Sequence, residues 1–148
     1  MKTSFISRVA TALLVLASFT MSAQDDQPIQ NSELPKAATE FLKLHFKDNA
    51  IHHATKDVDT FKTSYEVMLA DGTKVEFTKK GEWKEVDGKH KAIPTAFIPK
   101  AILTYVKTNY PTETITKIDR GFRDIDVDLS NGIDLEFDLK GNFIKIDR

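Results

Sequence analysis

Between Asp124 and Asp138 the chain carries six carboxylates and no base: Asp124, Asp126, Asp128, Asp134, Glu136 and Asp138. Acids gathered in this way can hold a hard cation through oxygen ligands, meet a basic partner, work as a glycosidase-like acid pair, or form a solvated face screened by salt. The run Asp124-x-Asp126-x-Asp128 has the opening spacing of a calcium loop but lacks its glycine and its twelfth-position glutamate. On a strand, alternate carboxylates project along a line about 6.6 Å apart rather than around a point. No metal site is therefore assigned, and no cofactor. The remaining chemistry is sparse. There is no cysteine, so thiolate sites, thiol nucleophiles and disulfides are excluded. The histidines are His45, His52, His53 and His90, with no His-x₃-His pair; His45 sits beside an apolar stripe and reads as a packed residue. Neighbours on a regular element point apart, so His52 and His53 make a poor metal pair. No serine lies in Gly-x-Ser-x-Gly, and the six glycines form no phosphate-cradling loop. No catalytic residue is assigned.

The acids sit where the apolar period is two. Ile125, Val127, Leu129, Leu135 and Phe137 alternate with them, and Val67, Leu69, Val75 and Phe77 alternate with polar residues earlier in the chain. Ala70-Asp71-Gly72 and Ser130-Asn131-Gly132 read as three-residue hairpin loops with glycine in the left-handed position. This register sets Val67 opposite Val75 and Val127 opposite Leu135. It also sets Asp128 opposite Asp134, Asp126 opposite Glu136 and Asp124 opposite Asp138. The earlier hairpin has Ser64/Thr78, Glu66/Glu76 and Met68/Lys74 at the same places, so the acid ladder is not demanded by the fold. Lys79-Lys80-Gly81-Glu82 and Leu139-Lys140-Gly141-Asn142 read as four-residue loops. They put Trp83 and Phe143 on the open face with the acids, where exposed aromatics serve as binding anchors. Packing of Trp83 under the segment that follows it is the alternative.

The two hairpins belong to a longer self-match. Residues 65–87 and 125–147 are identical at eight of 23 positions, and Leu34-Pro35-Lys36-Ala37 matches Ile98-Pro99-Lys100-Ala101. Each proline opens an amphipathic stripe, Ala38, Phe41, Leu42 and His45 in one and Ile102, Tyr105, Val106 and Asn109 in the other. Weaker strands are expected around 54–60 and 115–120. The expected fold is α+β: a tandem duplication of a helix plus a three- or four-stranded antiparallel meander, with the helices packed on one face of the sheet. The first repeat covers 33–87, a locally basic linker 88–97, and the second repeat 98–148.

This plan resembles the PepSY-like family of secreted proteins, whose fold is akin to β-lactamase-inhibitor protein. The residues that carry the likeness are Leu34-Pro35 and Ile98-Pro99, Tyr65-Glu66-Val67 with Asp71-Gly72, Val75-Glu76-Phe77, and Lys80-Gly81-Glu82-Trp83-Lys84-Glu85-Val86-Asp87 with its echo at 140–147. The resemblance implies a non-catalytic binding or inhibitory role. β-Lactamase inhibition itself is not carried over, because a shared fold does not transfer function.

Lys2 and Arg8, the uncharged run 9–19 and Ser22-Ala23 form the three parts of a secretory signal peptide, with cleavage expected after Ala23. The polar residues 24–32 then read as a flexible leader. Without Lys2 and Arg8 the chain has 19 basic against 22 acidic residues, a net charge of −3. That balance excludes a nucleic-acid partner bound by counterion release. No membrane span is expected after cleavage. The reading is a periplasmic or secreted binding module that holds a protein or peptide on its open sheet face, with a basic partner suited to the acids there. Trp83 and Phe143 would anchor the partner, and Asp126, Asp128 and Glu136 would steer it. The competing reading is an envelope protein that binds a cation or small ligand through 124–138.

Overall fold

The computed structural model describes residues 26–147; the expected signal peptide lies outside them. The strands are β1 (Gln27–Ile29), β2 (Ile51–Val58), β3 (Thr63–Leu69), β4 (Lys74–Thr78), β5 (Trp83–Asp87), β6 (Ile115–Arg120), β7 (Asp124–Leu129), β8 (Asp134–Asp138) and β9 (Phe143–Asp147). The helices are α1 (Lys36–His45), which follows a 3₁₀ turn at Asn31–Glu33, and α2 (Lys100–Asn109). All nine strands form one antiparallel sheet in chain order. Among the described residues no helix is long and apolar enough to cross a membrane.

This architecture corrects the α+β tandem of helix-plus-meander units. The molecule is mostly one continuous nine-stranded sheet with two short helices, and β5 pairs directly with β6 through Glu85↔Asp119, Val86↔Ile118 and Asp87↔Lys117. Two separate meanders would each leave an unpaired inner edge; joining them satisfies both. The segments expected to be loose are also drawn in. In the leader, Ile29 pairs opposite Ala54 and packs against the core, while Pro28 stands at an edge that needs no donor from it. In the linker, Ile93 is buried, and the Gly88 and Ile93 N–H groups donate to the Thr116 and Ile115 carbonyls.

The register builds the core. Ala54, Val67, Val75, Val86, Ile118, Val127, Leu135 and Ile146 stand opposite one another across β2 to β9, and all but Ile146 are buried. On this face α1 buries Ala38 and Leu42, and α2 buries Ile102 and Val106. Phe77 and Phe137, both fully buried, are each met edge-on by a helix aromatic, Phe41 and Tyr105 respectively.

The turns differ in what depends on them. Gly72 and Gly132 take the left-handed conformation expected of them, and a Cβ at either would meet nothing within 4 Å. Gly81 has φ +82°, and a Cβ there would lie 2.8 Å from the Ala38 nitrogen and from Pro35 Cβ. At Gly141 it would lie 2.9 Å from Ala101 Cβ. The starts of both helices are therefore seated on glycine turns of the sheet. Gly81→Ala should cost about 2–4 kcal/mol, backbone strain and overpacking together, whereas Gly72→Ala should cost only about 1–2 kcal/mol. Urea unfolding of the two variants checks the difference.

Candidate functional site

The face opposite the helices carries no covering layer among the described elements. Its central row is acidic. Glu66, Glu76, Glu85, Asp119, Asp126 and Glu136 stand directly opposite one another across β3 to β8, with Thr55 before them and Lys145 after. Like charges opposed across a sheet repel, so each contact needs a counter-charge or costs stability. The next row holds Lys74, Asp87, Lys117, Asp128, Asp134 and Asp147 across β4 to β9.

Counter-charge is distributed unevenly. Lys74 Nζ lies 3.5 Å from Glu66 Oε2 and 3.2 Å from Glu85 Oε1. Lys84 and Lys62 reach Glu76 Oε1 at 3.1 and 3.4 Å, and Lys117 reaches Glu85 Oε2 at 3.7 Å. Burial pulls the Lys74 ammonium down, but Glu85 and Glu66 more than offset it and hold the group above its ordinary value. Past Glu85 this pattern stops. Lys145 meets Glu136 at 3.1 Å on the far side. Between them, the carboxylates of Asp119, Asp126, Asp128 and Asp134 make no ion pair within 4 Å and no hydrogen bond among the described residues. Asp119 Oδ1 is buried without a hydrogen-bond partner among the described residues.

The titrations follow from that geometry. Burial raises the Asp126 carboxyl above its ordinary value, and Asp124 and Glu136 push it further the same way. Burial and then Asp134 do the same to Asp128. Asp119 is raised chiefly by burial, with Lys84 acting against it. Asp87 is lowered: burial opposes this, and the Lys89 side chain and N–H outweigh it.

The structure places Asp126, Asp128 and Glu136 on the open face, in the pairing that the spacing of β7 and β8 predicts. It moves Trp83 and Phe143 to the other face. The loops before β5 and β9 close one residue earlier than expected: Thr78 N–H donates to the Glu82 carbonyl and Asp138 N–H to the Asn142 carbonyl. The extra residue is absorbed inside the strands as a bulge. Glu76 still faces Glu85, but Phe77 faces Trp83; Glu136 still faces Lys145, but Phe137 faces Phe143. Trp83 is covered by Phe97 of the linker, ring centroids 5.2 Å apart, and Phe143 stacks on Tyr105 of α2 at 4.5 Å. Both are helix-side packing residues, so neither stands beside the acids as an anchor. A bulge also changes the histidine pair. The register slips between Ile51 and His53, and His52 Nδ1 comes 2.9 Å from His53 Nδ1. His45 packs against Phe41 and Phe97, and burial lowers its pKa.

Two central carboxylates, Glu85 and Asp119, were missed by sequence reasoning. They meet only because β5 pairs with β6 across some thirty residues of chain, and no local pattern reports that pairing.

Comparison with known proteins agrees with this architecture. The model of the PepSY-like, β-lactamase-inhibitor-like family matches residues 63–145. The chain belongs to that family. A solved protein from Bacteroides thetaiotaomicron, described as calcium-regulated and periplasmic, is 49% identical, with 84% of this chain and 98% of that one covered and a TM-score of 0.81. A solved protein from Bacteroides vulgatus, described as periplasmic, is 47% identical over 85% of this chain and 99% of its own, TM-score 0.81. A second from the same species, of unknown function, is 39% identical over 84% and 100%, TM-score 0.79. Among curated proteins none matches. This PepSY-like chain is a periplasmic or secreted protein.

Two outcomes follow. A carboxyl raised in the folded state is unstrained while protonated, so it lowers stability as pH rises through its ordinary value of 3.8 and then its raised value. Asp126→Asn should therefore raise the melting midpoint by about 2–4 °C at neutral pH and low salt, and the gain should vanish near pH 3 and in about 1 M salt. Trp83→Ala should lower stability by about 2–3 kcal/mol, as removal of a packed ring does and removal of a free surface anchor does not. Thermal melting across pH and urea unfolding check them.

Proposed function

We propose that the protein is a non-catalytic periplasmic binding module that holds a basic segment of a protein or peptide along its open sheet face. Asp126, Asp128 and Glu136 steer the segment, and Asp119 joins them at the centre. The observation that carries the reading is the run of half-buried aspartates, between the pairs at Glu85 and Glu136, whose carboxylates make no ion pair within 4 Å among the described residues. A cationic side chain laid there would supply the missing counter-charge and relieve repulsion that the folded protein otherwise bears. Family membership favours a non-catalytic role. The inhibition implied by the family's name needs a partner enzyme and is not part of the reading.

The test is calorimetric titration with a lysine- and arginine-rich peptide and with its glutamate-substituted counterpart. The basic peptide should bind and the acidic one should not. Asp126→Asn/Asp128→Asn should weaken binding by about tenfold or more, and so should a rise from about 50 mM to about 300 mM salt. Equal affinity for wild type and variant would refute the reading.

One observation favours a second reading. The B. thetaiotaomicron relative is described as calcium-regulated, and calcium takes carboxylate oxygens. Among the described residues, however, no three acidic or histidine side chains are grouped to hold a metal ion. Calcium bound by the folded state alone must raise the melting midpoint. A rise lost in Asp126→Asn would move the reading to a cation; an unchanged midpoint would dismiss it.

A further inference from the structure

The loops that join β2 to β3, β4 to β5, β6 to β7 and β8 to β9 all lie at one end of the sheet, because the strands are antiparallel in chain order. That end has a composition unlike the rest of the molecule. Phe61, in the loop 59–62, is 96% exposed, and Phe122, in the loop 121–123, is 91% exposed. Leu139 in the last of these loops is 47% exposed. Among the described residues neither phenylalanine makes a ring contact with another aromatic, whereas Phe41, Phe77, Phe97, Phe137 and Phe143 all do. Each tip has the same order, phenylalanine and then a cation: Phe61-Lys62 and Phe122-Arg123.

The charge of this end is also reversed. With the strand ends that border them, its loops carry Lys62, Lys79, Lys80, Arg120, Arg123 and Lys140 against Asp59, Glu82, Asp124 and Asp138, a net +2 in a chain that is net acidic. Arg120 and Arg123, on either side of the Phe122 tip, make no ion pair or hydrogen bond through their side chains among the described residues. Both helices start at this end, seated on Gly81 and Gly141, so the positive ends of their dipoles point the same way.

We propose that this end of the sheet is a peripheral membrane-docking surface that rests on anionic phospholipid, with Phe61 and Phe122 inserted at the headgroup–acyl boundary and Arg120 and Arg123 on the phosphates. Apolar tips among a net excess of cations fit a surface that is anionic outside and apolar just beneath. Guanidinium groups suit phosphate oxygens. Docking by the end keeps the acid-rich face perpendicular to the bilayer, clear of its repulsion and open to a partner. The site is separate from that face and does not depend on the function assigned to it.

The experiment is co-sedimentation of the exported form, Gln24 onward, with vesicles of phosphatidylcholine alone and of phosphatidylcholine mixed equally with phosphatidylglycerol. Binding is expected to the mixed vesicles only, and to fade as salt rises. Phe61→Ala/Phe122→Ala should reduce the partition coefficient by about a hundredfold, roughly tenfold for each ring. Arg120→Gln/Arg123→Gln should reduce it about tenfold while the phenylalanines remain. All four side chains are exposed, so an unchanged melting midpoint certifies that the variants fold. Wild type that fails to bind mixed vesicles at low salt overturns the proposal, as a protein partner for these tips would produce. Equal binding to both vesicle types, or equal binding by the phenylalanine variant, overturns it too.

Discussion

The three residue pairs that join β5 to β6 are the interaction on which the rest of the molecule depends. Val86 against Ile118 carries the apolar row from one side of the core to the other, and Glu85 against Asp119 carries the acid row across the opposite face. Without that junction there would be two small sheets with a helix each, too little buried area to be secure and two inner edges open to aggregation. With it, two ten-residue helices cover one face of a single wide sheet. A nine-stranded sheet is about 38 Å wide at ordinary strand spacing, and two adjacent helices span about 20 Å. The other face must therefore be polar, and its polarity is free to be used.

The two sides of the sheet use that freedom differently. On β3 to β5 the glutamates are long enough to share lysines, so Lys74 and Lys84 knit the row into a network. On β6 to β8 the acids are mostly aspartates, whose short side chains stay close to the strand and do not reach Lys117 or Lys145. The same register gives a neutralised half and a charged half. A fold that wanted only solubility would have no need to align like charges row upon row. The misalignment with stability is local to four aspartates, and the lysines beside them mark where the strain ends.

Much of this was legible in the residues and some was not. The alternation of Ile125, Val127 and Leu129 with Asp124, Asp126 and Asp128, and the glycines at 72 and 132, determine hairpin register through period and turn chemistry, which are local. The bulges that turn Trp83 and Phe143 over are not local. A bulge is chosen by where an extra residue is best packed, and here the choice is made by Phe97 and Tyr105, which lie elsewhere in the chain. The same holds for β1, where one isoleucine and a proline carry too weak a pattern to announce a strand, and only the waiting edge of β2 gives them a place. Asp119 is the sharpest case: its importance comes from standing between Asp126, its neighbour across the β6–β7 hairpin, and Glu85, which lies far back in the sequence.

The central claim is that Asp119, Asp126, Asp128 and Asp134, on β6 to β8 of the open face, carry charge that no ion pair among the described residues neutralises. Carbon-detected NMR titration of the side-chain carboxyls measures this directly. The account predicts midpoints above 3.8 for Asp119, Asp126 and Asp128, and one below it for Asp87, which Lys89 holds ionised. Midpoints at or below 3.8 for the three aspartates would contradict it, since their charge would then be satisfied within the folded chain.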